Sequence, residues 1–327
     1  MKSDSKSDGR KVVVAALAGN LGIAVAKFVA AWLSGSTAIL AEGVHSLADT
    51  GNQGLLLIGM SLAAKAMPSR YPLGREKESY FWAFIVALLL FFLGGVFAVY
   101  EGTHKLLHGG EEAHGSPLIP LGVLAVSLLM EGGSFFVAFK EFNKTRGKAG
   151  FFSALFSGKD PTIPVVLLED TAAVFGLCVA FVAIGVSALM HSAVPDAVGS
   201  IIIGLLLCGV GVLLARYTRS LLLGEGVTAE VRDRTLGVIE TTPGVLKVTQ
   251  FLSMHLGPEA VILALKVRFR PKMVLEELES VIDDIETRVR AEMPEMKKIF
   301  VEPDSDYDPT KDADLKPHSD RAPEPNT

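Results

Sequence analysis

The sequence predicts a mainly α membrane protein, a six-transmembrane-helix bundle at 11–223 followed by a small cytoplasmic α+β domain at 224–303. Three observations carry that reading. Half of the 327 residues are apolar and the mean hydropathy is +0.40, high for a chain in which 20% of residues are charged. The apolar residues crowd positions 11–223 and thin out beyond them. Lysine and arginine collect in alternate connections, the asymmetry that the positive-inside rule expects of a multi-pass protein.

Apolar segments able to cross about 30 Å of hydrocarbon as helices of about 20 residues fall at 11–33, 37–64, 80–106, 118–142, 164–190 and 194–218. A hydrophilic segment, 1–10, precedes the first. That span is too long for a signal-peptide core and has no small-residue cleavage pattern behind it, so it is expected to be retained. One side of the bundle gathers Lys2, Lys6, Arg10 and Lys11, then Lys65, Arg70, Arg75 and Lys77, then Lys140, Lys144, Arg146, Lys148 and Lys159, then Arg216 and Arg219. The other side has Lys105 alone. Both termini are therefore expected in the cytoplasm, and a bacterial inner membrane is the expected location.

From 224 onward the pattern becomes α-β-β-α-β. A helix is expected at 228–241, with Thr228 as its N-cap and Pro243-Gly244 as its stop. Strand-like runs follow at 245–256 and 260–270, separated by Gly257-Pro258. An amphipathic helix at 273–292 sets Val274, Leu275, Leu278, Ile282, Ile285 and Val289 on one face, and a strand at 297–302 closes the domain. The tail at 304–327, rich in Asp, Pro and Lys, has too little apolar surface to offset ordering entropy and is expected to be disordered.

Ionisable residues inside a membrane mark functional sites by default, because burying their charge is costly. The second span reads AEGVHSLADTGNQG. His45 and Asp49 are four apart and lie one above the other on one helical face, with Glu42, Asn52 and Gln53 on about the same face. An imidazole and a carboxylate at this spacing can share a small divalent cation, and both also bind protons, so metal and proton compete for the same groups. The plainer alternative is a buried pair that fixes helix register. The fifth span, VVLLEDTAAVFG, adds Glu169 and Asp170. Adjacent side chains diverge by about 100° on a helix, so Asp170 is taken as the direct ligand and Glu169 as fourth ligand, supporting group or proton carrier.

Glu131 in the fourth span is followed by two glycines that would let another helix approach; a proton relay and a pairing with Lys27 fit it equally. Asn20 reads as a polar tie between helices, and Gly204, Cys208, Gly209 and Gly211 as a close-packing stripe. His104, His108 and His114, with Glu111 and Glu112, belong to an outward connection, where a solvated loop and a weak attractor of released cations both fit. Cys178 and Cys208 sit in apolar runs with no disulfide or zinc spacing. A formal charge of −5 without a basic block excludes a nucleic-acid partner. No nucleophile–base pair and no phosphate-binding glycine loop is present, so neither an enzyme nor an ATP-driven pump is expected, and no prosthetic cofactor.

Three stretches, LLAEGVHSLADT-like residues of the second span, YPLGREKESYFWAF after it, and FFLGGVFAVYEGTHKLLH in the third, resemble the cation diffusion facilitator family. The resemblance extends over about 11–303 and is nearest to the zinc transporter 9-like branch. It implies a homodimer of six-helix subunits with a ferredoxin-like cytoplasmic domain, exporting Zn2+ or a related divalent ion in exchange for protons. It also implies a transport site in which His45 and Asp49 supply the second-span pair and Asp170 the aspartate of the fifth. The matching fifth-span histidine falls at Val166, which cannot bind metal; the ED pair offers Glu169 in its place. An oxygen-rich site of this kind discriminates less sharply among Zn2+, Mn2+, Co2+ and Fe2+.

The sequence thus points to proton-coupled efflux of a divalent cation, Zn2+ first, by a homodimer in a lipid bilayer. A scaffold or hetero-oligomer subunit that kept the fold and lost turnover is the second reading, and Val166 is its support. Arg75, Glu76 and Lys77, between the second and third spans, are candidates for salt bridges that tie helices or domains.

Overall fold

The computed structural model describes residues 4–34, 37–65, 70–108, 118–146 and 150–304. Most of the expected tail, and Glu111, Glu112 and His114, lie outside the described residues, as do the side chains of Glu42 and His45. The chain divides into two compact units, Met1–Leu223 and Gly224–Thr327.

The first unit is helical. Its elements are α1 (Asp4–Ser34), α2 (Thr37–Ala63), α3 (Glu78–Leu89), α4 (Phe97–His108), α5 (Leu118–Arg146), the short α6 (Phe151–Ser157), α7 (Thr162–Met190) and α8 (Val194–Leu223). A π-helical turn, Leu90–Val96, joins α3 to α4, so the two form one rod. Among the described residues the unit thus has six long rods, at the positions of the six apolar runs. Four of them, among the described residues, are long and apolar enough to cross a membrane: Glu78–His108, Pro120–Lys144, Thr162–Met190 and Val194–Leu223. The apolar part of α1 is the shorter stretch Val13–Val29, while the helix itself reaches back through the hydrophilic residues to Asp4. In α2 the hydropathy is diluted by Glu42, His45, Asp49, Asn52 and Gln53.

Burial in this unit runs opposite to that of a water-soluble protein. Trp32, Leu93, Leu107, Leu129, Phe136 and Leu189 are exposed, whereas Asn20, Lys27, Ser46, Asn52, Gln53, Glu131, Glu169 and Asp170 are buried. An apolar outer surface suits hydrocarbon, where hydrophobic side chains gain nothing by turning inward. Beside the buried polar groups lies an apolar core that includes Val13, Leu56, Val86, Phe142 and Val165–Leu168. The basic connection expected at 143–163 contains α6, which forms because Leu155 is buried and Phe151 packs on Phe139 and Phe142.

The π turn and α4 lie close against α8 through glycine. A Cβ at Gly95 would stand 2.5 Å from Cys208 Sγ, and one at Gly204 would stand 2.7 Å from the Gly95 carbonyl oxygen. Gly211 meets Phe91 in the same way. Gly209, read with these as a packing residue, faces open space, and so do Gly132 and Gly133 after Glu131. The expected close approach at the double glycine is therefore not seen among the described residues, and Gly133 borders a cleft between α1, α5 and α7 instead.

The second unit has the predicted order: α9 (Ala229–Glu240), β1 (Val245–Gly257), β2 (Ala260–Phe269), α10 (Leu275–Glu292) and β3 (Met296–Pro303). Thr228 caps α9 by accepting from the Val231 N–H at 3.4 Å, and Gly244 turns the chain at a φ of +99°. The sheet runs β1-β2-β3. β1 and β2 are antiparallel, with Phe251 opposite Leu265, and β3 lies parallel to β2. Ile239, Leu263, Val267, Ile285 and Val289 form the core beneath it. Of the six residues expected on the inner face of α10, Ile285 and Val289 are fully buried, while Val274 and Leu275 at its start are exposed.

Between α2 and α3, Arg75 pairs with Glu78 at 2.6 Å and lies over the Tyr71 ring. Lys77 donates to the Leu222 carbonyl at the end of α8 at 3.2 Å. The first of these contacts is local; the second ties the start of the third rod to the end of the sixth.

Candidate functional site

The buried polar residues gather where α1, α2, α5 and α7 meet. The first half of α7 is tightly enclosed, with every residue from Pro164 to Asp170 buried. Asp160 starts this helix by accepting from the Thr162 N–H at 2.9 Å. Two carboxylates therefore enter a buried region, and each must find donors there.

Glu169 takes its donors from α2. Asn52 Nδ2 donates to Glu169 Oε1 at 2.8 Å, and Gln53 Nε2 donates to Glu169 Oε2 at 3.3 Å. Asn20 Nδ2, from α1, donates to Gln53 Oε1 at 3.2 Å. This bond leaves the Gln53 Nε2 facing Glu169, where the carboxylate accepts it. The resulting chain, Asn20 to Gln53 to Glu169, spans three helices, and its members are all buried, Gln53 completely. Buried polar chains that are satisfied in this way fix helix register as well as charge.

Asp170 diverges from Glu169 as expected of adjacent residues and finds Ser134 of α5, whose Oγ donates to Asp170 Oδ2 at 3.1 Å. Asp49, half-buried on α2, lies within electrostatic reach of both Glu169 and Asp170. Glu131, buried on α5, bears on Glu169 as well. Lys27 of α1 is buried and donates to Ser46 Oγ at 2.8 Å, one residue beyond His45. A cleft of about 200 Å³ opens between α1, α5 and α7; Gly19, Gly133, Ser134 and Val166 are among its walls.

Of the residues singled out in the sequence, Asp49, Asn52, Gln53, Glu131, Glu169 and Asp170 thus belong to one polar region. The side chains of His45 and Glu42 lie outside the described residues. Among the described residues no three His, Cys, Asp or Glu side chains stand together as a ready metal cage. The carboxylates are instead held by amide and hydroxyl donors, an arrangement that keeps anionic oxygens in place without enclosing a cation. Asn20, read from the sequence as a polar tie between helices, does tie α1 to Gln53 of α2. One participant went unrecognised in the sequence, Ser134 as the partner of Asp170; it is a polar residue inside an apolar helix, which is the signal that finds it.

The chain has relatives among known proteins. A family profile described as the cation efflux transmembrane domain matches residues 13–223. The mitochondrial proton-coupled zinc antiporter SLC30A9 of Mus musculus is 31% identical over 271 residues, 82% of this chain and 47% of that protein. Metal tolerance protein C4 of Arabidopsis thaliana is 30% identical over 271 residues, again 82% of this chain and 58% of that one. Magnetosome protein MamB of Paramagnetospirillum magneticum is 26% identical over 310 residues, 93% of this chain and 97% of that one. The chain spans about half the length of the antiporter it matches. Among solved structures, the copper form of the MamM CTD is 16% identical, covering 23% of this chain and 81% of that one with a TM-score of 0.22.

Proposed function

The chain belongs to the cation efflux family and is a multi-pass membrane protein; from that premise we propose that it exports a divalent metal cation from the cytoplasm in exchange for protons, with Zn2+ the first candidate. One observation carries the reading: the carboxylates of Glu169 and Asp170, buried on α7 and held by donors on α2 and α5, in helices that are otherwise apolar. A scaffold has no need to keep such groups in a membrane, where each is costly.

In this mechanism His45, Asp49 and Asp170 hold the cation, and Glu169 either completes the set or supports it through Asn52 and Gln53. The ligands must be deprotonated to bind metal, so protons arriving from the far side displace it. Rocking of the bundle exposes the same site alternately to the two sides. Glu131, Glu42 and the amide pair are candidates for handling the proton. Six spans with both termini in the cytoplasm follow from the distribution of Lys and Arg, and the second unit is assigned to homodimer formation. A bacterial inner membrane is the proposed location; the mitochondrial antiporter among the relatives makes an organelle the alternative. Zinc is supported by the relatives whose names specify it. The oxygen-rich donor set and Val166 at the position of the missing imidazole leave Mn2+, Co2+ and Fe2+ as competitors.

The second reading, a transport-impaired scaffold or hetero-oligomer subunit, draws on Val166 and on the absence of a three-ligand cluster among the described residues. Uptake into proteoliposomes separates the two. Asp49→Ala and Asp170→Ala, each assembled normally, are expected to lose transport of every ion that the unaltered protein moves. Normal transport by either variant removes the site assignment.

A further inference from the structure

At the end of α4 the run YEGTHKLLH sets Glu101, His104, Lys105 and His108 along one side of the helix, because residues three, four and seven apart share a face. His104 and His108 are both exposed. Their rings are 4.3 Å apart, centre to centre, and within 20° of parallel, with the Tyr100 ring 6.0 Å from that of His104. His108 Nδ1 lies 3.2 Å from the backbone carbonyl oxygen of His104. A carbonyl only accepts, so this bond needs the ring proton on Nδ1 and leaves a lone pair on Nε2, directed away from the helix. A backbone carbonyl behind Nδ1 is the usual brace of a metal-binding imidazole. Lys105, the cation within this face, is engaged by Glu101 at 3.0 Å and Asp196 at 3.5 Å. Its charge is thereby offset by two acids beside the histidine pair. None of these groups belongs to the polar region around Asp49, Glu169 and Asp170.

We propose that His104 and His108 form a two-imidazole chelate for a first-row divalent cation, with water completing the coordination. The helix backbone already holds the two rings side by side, so once one Nε2 binds the ion the other acts at high effective concentration. The rings stack now and must tilt toward each other to share an ion, a rotation of two exposed side chains. Imidazole donors select Cu2+, Ni2+ and Zn2+ over Mg2+ or Mn2+. The chelate stands on these residues alone. That it receives cations on the exit side of the bundle rests on the transport reading and its orientation.

Calorimetric titration of Ni2+ into untagged full-length protein in detergent tests it, with Asp49→Ala and Asp170→Ala present to silence the transport site. One Ni2+ per chain is expected. Either His104→Ala or His108→Ala should weaken it at least about tenfold, with thermal unfolding unchanged, whereas His191→Ala at the end of α7 should leave it intact. Failure of the starting protein to bind Ni2+, or undiminished binding after both histidines are replaced, overturns the chelate. Transport by Asp49→Ala protein overturns the transport-site assignment instead and leaves the chelate standing.

Discussion

The two units of this chain are built inside out with respect to each other. In the second, Ile285 and Val289 of α10 are buried while Arg288 and Arg290 on the same helix pair with Asp284 and Glu286 at its surface. In the first, Leu129 and Phe136 of α5 are exposed, and Glu131, on the same helix, is buried. Water rewards the first pattern, because burying apolar area there is favourable. Hydrocarbon removes that reward and makes each inward polar group a cost that only satisfied hydrogen bonds offset. The difference teaches where to look for function: polar burial in the first unit is concentrated on Asn20, Gln53, Glu169, Asp170 and their neighbours, which is where the proposed transport site lies.

Substitutions that exchange the two logics should therefore have unequal effects. The largest belongs to the carboxylates, where Asp49→Ala or Asp170→Ala should abolish transport, read as metal uptake into proteoliposomes, with assembly preserved. Ile285→Ala should cost the second unit about 2–5 kcal/mol through lost burial and a residual cavity. Hydrogen exchange across 224–303 in the full chain should rise, while exchange in α7 stays unchanged. Glu169→Ala removes the acceptor of two buried amides, at about 1–3 kcal/mol, and should lower the unfolding temperature in detergent more than Glu169→Gln does. Asn20→Ala frees Gln53 to turn its amide, so the KM for metal should rise by about tenfold, the lower end expected for outer-shell partners; kcat should hardly change, and Asn20→Gln should restore part of the loss. Arg234→Ala breaks a pair with Glu292 that lies at the surface of the second unit, and should shift stability by no more than about 1 kcal/mol.

Much of this organisation is legible in the sequence. The long rods follow from apolar runs, and the second unit follows from alternating runs, a Thr cap and Pro243-Gly244. The π turn at Leu90–Val96 and the short α6 do not. The former depends on Gly94 and Gly95 meeting α8, and the latter on Phe151 finding Phe139 and Phe142, contacts that no local periodicity encodes. At the site, spacing picks out Asp49, Glu169 and Asp170, and Asn52 and Gln53 beside Asp49, but neither which carboxylate those amides serve nor Ser134. Spacing fixes which residues share a face of one helix, whereas partners depend on how neighbouring helices are rotated. That rotation brings Ser134 to Asp170 and turns Gly132 and Gly133, two positions expected to meet another helix, toward open space.

The central claim is that the polar interior of the first unit exchanges metal for protons. The most direct test is the change of internal pH in proteoliposomes holding the purified full-length protein, with Zn2+, Mn2+, Co2+ and Fe2+ added in turn beside an Asp49→Ala control. A metal-dependent proton signal, largest for Zn2+ and absent from the control, is the predicted result. Silence for every ion with folded protein in the membrane, or a signal that Asp49→Ala retains, would contradict it.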